Sequence, residues 1–168
     1  MKRKNREDLR KVYADAVALM DGPEDGSMPF ENRLREMLDA PGTFDWILEA
    51  HVRQDMKGLR SQIMEHKVQT AFKFVGEEDE IVDMIKRAII SHAWDICVFL
   101  AEKKDPELVI YSPFDEGIYG KGYRNAELWD RPRETRDGFF AVLSRDGDCV
   151  KLETAFPIKD YADFNKRT

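Results

Sequence analysis

The residues best suited to chemistry are His66, a group of cations set among aromatics between Ile118 and Asp137, and Thr154. His66 lies in Met64-Glu65-His66-Lys67, at an expected helix-to-strand junction with polar neighbours. Catalytic groups concentrate at such junctions, and a histidine exchanges protons near neutral pH. An ordinary surface histidine is the alternative reading. The loop carries Lys121, Arg124, Arg131, Arg133 and Arg136 among Tyr119, Tyr123 and Trp129. Cations interleaved with aromatics grip phosphates and stack bases. Against this, Glu127, Asp130, Glu134 and Asp137 alternate with them, so the loop also reads as a self-neutralised, solvated surface. Thr154 belongs to Glu153-Thr154-Ala155-Phe156-Pro157 on the final strand. Its hydroxyl suits a phosphate oxygen, although threonine and phenylalanine also favour sheets for structural reasons alone.

The other histidines read as structural. His51 shares a helix face with Phe44 and Leu48, and His92 continues the apolar stripe of a helix it would pack against or cap. No P-loop, Gly-rich dinucleotide turn, nucleophile elbow or HExxH motif occurs. The carboxylates Asp95, Asp115, Glu116 and Glu153 match no metal-binding spacing, so neither a metal nor a cofactor is expected.

The elements that must position these groups follow from periodicity. The 168 residues suffice for one domain with a real core. Helical spacing runs from about Arg6 to Met20, and a short helix carries Phe30, Leu34, Met37 and Leu38. A third helix is expected after Thr43 as N-cap, weakening near Gly58, with a further turn or helix from Leu59 to Met64. Alternation at Val68–Phe74 predicts a strand. Glu77-Glu78-Asp79-Glu80 opens the clearest helix, where carboxylates complement the helix dipole. Strands are expected at Trp94–Leu100, Leu108–Tyr111, Gly138–Leu143 and Cys149–Phe156, with a short one near Ile118–Tyr123 and an Asp146-Gly147 hairpin turn. Tyr161 and Phe164 are expected to dock the tail. The order implies one α+β domain, with a helical part over 1–60 and then a helix with an antiparallel sheet of four or five strands over 61–168.

Charged residues form 36% of the chain, mixed in sign, and the net charge is −6. That balance disfavours non-specific coating of nucleic acid, while leaving room for a local basic patch. Cys97 and Cys149 read as reduced structural thiols, and no apolar run is long enough for a membrane span. A cytoplasmic protein is expected.

Taken together, His66-Lys67, the helix, the short strands and the closing Thr154-Ala155-Phe156-Pro157 resemble the barnase–EndoU–colicin–RelE-like group of toxin and phage nucleases, over about Ile63–Ile158. The resemblance implies a metal-independent ribonuclease. His66 would match the group's histidine, Lys121 or Arg124 its sheet cation, and Thr154 its hydroxyl. Lys121, Tyr123, Arg131 and Arg133 would then bind RNA. The acidity and the single well-placed histidine depart from the group's pattern. The competing reading is a non-catalytic acidic interaction protein, of the immunity, inhibitor or regulatory kind, whose partner is a basic protein.

Overall fold

The computed structural model describes residues 6–22 and 28–158, so the expected docking of Tyr161 and Phe164 lies outside the described residues. The elements run α1 (Arg6–Asp21), α2 (Phe30–Asp39), α3 (Asp45–His51), α4 (Met56–His66), β1 (Thr70–Val75), α5 (Glu78–Ser91), α6 (Ala93–Glu102), β2 (Glu107–Pro113), β3 (Tyr119–Arg124), a 3₁₀ turn (Asn125–Glu127), β4 (Arg133–Thr135), β5 (Gly138–Asp146) and β6 (Cys149–Ile158). The class is the expected α+β, with helices mainly in the first half. Its antiparallel strands form two three-stranded sheets, ordered β1-β3-β4 and β2-β5-β6. No helix among the described residues is long and apolar enough to cross a membrane.

By contact the chain divides into two compact units. One comprises Met1–Thr43, Lys86–Ile110 and Val142–Glu153; the other comprises Phe44–Ile85, Tyr111–Ala141 and Thr154–Thr168. In the first, α1 packs along α6 and α2 packs on both. The run expected as a strand at Trp94–Leu100 is helical instead. Its apolar residues fall on every side, so neither period is legible, and Ala93, Ile96, Cys97, Phe99 and Leu100 are all buried. His92 caps α5 as expected, its Nδ1 lying 2.8 Å from the Ala88 carbonyl oxygen. Thr43 closes α2 rather than opening α3: its hydroxyl lies 2.9 Å from the carbonyl oxygens of both Met37 and Ala40. Burial pushes the Cys97 thiol up to about 12, which suits an inert structural cysteine.

In the second unit, α4 begins on Asp55, whose carboxylate accepts the Gly58 N–H at 2.7 Å, and ends on Lys67 in the left-handed conformation (φ 53°). Gly58 therefore sits inside the first turn of α4 instead of ending α3. Leu59 and Ile63 of α4 join Ala71, Tyr123 and Leu128 in a buried cluster on one face of the β1-β3-β4 sheet. The other face carries Phe72 and Phe74, opposite Gly122 and Gly120 in the ladder. Phe74 meets Phe139 edge-on, with centroids 5.7 Å apart, and Thr135 donates a hydrogen bond to the Ile158 carbonyl at 2.6 Å.

Gly122 is required by this close pairing. A Cβ at this position would stand 2.0 Å from the Ala71 carbonyl oxygen and 2.6 Å from the Phe72 Cα, both backbone atoms. Gly122→Ala is expected to cost at least about 2 kcal/mol, because the ladder must open to admit a methyl group. Urea unfolding of the purified variant beside wild type measures this.

Candidate active site

Strand β1 lies at the edge of its sheet, hydrogen-bonded to β3 on one side only among the described residues. The Gln69 carbonyl accepts the Asn125 N–H at 2.8 Å, so the backbone groups of residues 69 and 71 point toward β3. Those of Thr70 and Phe72 point away from it, toward a cavity of about 760 Å³. The cavity is lined by Trp46 and His51 of α3, Gln62 and His66 of α4, the segment 67–72, and Thr154, Phe156 and Pro157 of β6.

Two of its polar atoms are buried with no hydrogen-bond partner among the described residues: Nδ1 of His51 and Oγ1 of Thr154. The His51 ring sits 5.8 Å from that of Phe156, and Phe156 in turn lies 5.7 Å from Phe140, so an apolar wall backs the imidazole. Desolvation holds the His51 pKa below its usual 6.5, while a hydrogen bond to the Phe72 backbone raises it. A raising contact favours the protonated ring, so the acceptor is the Phe72 carbonyl. Nδ1 itself is buried without a partner among the described residues. A neutral imidazole held this way is suited to accept a proton.

Two of the expected site residues, His66 and Thr154, line this one cavity, and Lys67, next to His66, supplies a cation there. Arg124 stands opposite Thr70 in the β1–β3 ladder, on the same face, and does not line the cavity. Lys121 pairs with Lys73 on the opposite face. Tyr123 is 3% exposed and belongs to the α4 cluster, with the Arg60 guanidinium 4.8 Å from its ring centroid. It therefore offers no open face to a base. Arg133 is ion-paired with Glu127, whereas Arg136 pairs with Glu134 at 3.1 Å and lies 4.2 Å from the Tyr119 ring centroid. Arg131 is exposed between the 3₁₀ turn and β4. The segment 118–137 holds β3, the 3₁₀ turn and β4, and Arg133 and Arg136 are ion-paired within it, which fits the self-neutralised reading at those two residues. No group of three or more His, Cys, Asp or Glu side chains among the described residues is placed to hold a metal.

His51 is the site residue that sequence reasoning passed over. Its only signal was a polar ring on an apolar helix face, which commonly means a packed histidine. What distinguishes it is the unpartnered Thr154 hydroxyl in the same cavity, contributed by a strand about a hundred residues later in the chain.

No protein-family model matches the chain, and no curated protein sequence does. Its fold is similar to that of a chain in the crystal structure of the CdiA-CT/CdiI toxin–immunity complex from Y. kristensenii 33638. The TM-score is 0.54 at 15% sequence identity, over 67% of this chain and 97% of that one. At that identity the likeness is one of fold.

Two outcomes follow for stability. His51 binds its proton less readily folded than unfolded, so its contribution is complete above pH 6.5 and is lost as pH falls through its lowered value. The thermal midpoint of wild type is expected to drop between pH 7 and 5, and His51→Leu should flatten that slope. Removing the Thr154 hydroxyl as Thr154→Val leaves no buried polar atom unpaired there. The midpoint should hold or rise, where loss of a bonded hydroxyl would cost about 1 kcal/mol or more.

Proposed function

We propose that this protein is a small metal-independent ribonuclease of the toxin type. The observation that carries the reading is the pair of polar atoms without partners among the described residues, His51 Nδ1 and Thr154 Oγ1, on residues that line one cavity with His66 and Lys67. Unsatisfied buried groups are costly in a folded protein, and they cluster where a ligand completes them. In this reading Nδ1 of His51 removes the RNA 2′-hydroxyl proton as O2′ bonds to the adjacent phosphorus. The P–O5′ bond breaks and O5′ takes a proton from His66, leaving a 2′,3′-cyclic phosphate and a 5′-hydroxyl. Thr154 donates to a phosphoryl oxygen, while Lys67 and the nearby Arg124 offset the charge that builds there.

The fold likeness supports a toxin-related protein and fits either partner of a toxin–immunity pair. An acidic interaction protein is favoured by the net charge of −6 alone. It gives no reason for two polar atoms to stand without partners on residues that line one cavity, and the enzyme reading does.

A defined RNA oligomer incubated with the protein in excess chelator is expected to yield 2′,3′-cyclic ends. His51→Gln and Thr154→Val should each slow cleavage about 100-fold or more, and His66→Ala should slow it as well. On the acid side, kcat/KM should hold to below pH 6.5, because His51 stays neutral there. Absence of cleavage at high protein concentration, or full activity in His51→Gln, would move the assignment to the interaction protein.

A further inference from the structure

A second cavity, of about 320 Å³, adjoins the first: Trp46, Gln62 and His66 line both. Trp46 lies in the first turn of α3, five residues before His51, and is 62% exposed. An indole so open to water at the meeting of two cavities buries little of its own apolar area, so the fold gains little from it. The cavities differ in chemistry. The larger carries Lys67, His51 and the Thr154 hydroxyl, groups that suit a phosphate. The smaller has neither lysine nor arginine in its lining; its polar side chains besides the shared ones are Gln54, Ser61, Glu65 and Glu49, the last ion-paired with Arg53 at 3.1 Å. Carboxylates repel a phosphate, and together with amides and a hydroxyl they suit the N–H edges of a neutral base. Both volumes lie in the range of about 300–1,000 Å³ that small-molecule sites occupy.

We infer, on the ribonuclease reading above, that the two cavities seat successive nucleotides of single-stranded RNA, with Trp46 as the platform on which the base beside the scissile phosphate stacks. A paired base shows its π-face only to its neighbours in the duplex, so the platform selects unpaired strands. Trp46 binds substrate and takes no part in proton transfer.

The test uses a short single-stranded RNA and its uncleavable 2′-O-methyl counterpart. Trp46→Ala is expected to raise KM about tenfold and to weaken binding of the 2′-O-methyl strand by the same factor, with kcat within about twofold of wild type. Trp46→Phe should recover most of both, and a fully paired duplex of the same sequence should compete poorly. If wild type cleaves RNA while Trp46→Ala keeps the wild-type KM and affinity, the platform is overturned and the nuclease stands. If wild type binds the 2′-O-methyl strand in a Trp46-dependent way but cleaves no RNA, the nuclease reading falls and the platform stands. Cleavage and binding both absent would overturn both.

Discussion

Strand β1 takes its hydrogen bonds from β3 on one side and leaves the other side for side chains. Nearly every feature of the candidate site hangs on that arrangement. The edge left unpaired among the described residues presents the Phe72 backbone, whose hydrogen bond holds the His51 ring at the cavity it lines. The chain reaches β1 from α4 through His66 and Lys67, so the strand's position also sets theirs. Its pairing with β3 is tight because Gly122 has no side chain to separate Ala71 and Phe72 from the neighbouring backbone. An edge strand is ordinarily a liability, as it invites pairing with other chains. Here its outward groups line a cavity shared with β6, α3 and α4.

The cost of the arrangement is concentrated in two atoms. A histidine nitrogen and a threonine hydroxyl are buried without partners among the described residues, each at a penalty of about 1–3 kcal/mol in typical proteins. The remainder of the second unit is built to tolerate that. Phe74, Phe114 and Phe139 form one group of ring contacts, and Tyr111, Phe140, Phe156 and His51 form another. α4 seals the other face of the β1-β3-β4 sheet with Leu59 and Ile63. Rigid apolar packing on both sides holds the polar groups in fixed geometry, as a site must if it is not to relax into self-satisfaction. Surface ion pairs such as Arg53 with Glu78 and Lys86 with Asp39 add little beside this.

Much of the fold was legible in residues near one another in the chain. The acidic first turn and apolar stripe of α5, the Asp146-Gly147 turn with Gly147 at φ 60°, and the alternation of β1 all record local preferences. Where local signals were ambiguous, tertiary burial decided. Trp94–Leu100 is apolar on every side, which suits a buried strand or a buried helix equally, and packing against α1 and α2 makes it helical. Thr43 had the chemistry of an N-cap, yet its hydroxyl bonds backward to α2, because two free carbonyls lay within reach there.

For the site, the sequence alone determined which chemistry was available: a histidine and lysine at a helix-to-strand junction, a hydroxyl on the last strand, and no established nucleotide or metal motif. Those are properties of residue type and of spacing within a few positions, and they survive any folding. Only the tertiary structure decided which of these groups meet. It brings His66 and Thr154 to one cavity with His51, sets Arg124 opposite Thr70 outside its lining, turns Lys121 to the other face, and buries Tyr123. The physical reason is that convergence depends on strand register and sheet edges. A shift of one residue in β3 would exchange the faces of Arg124 and Tyr123, and no local preference in the chain sets that register.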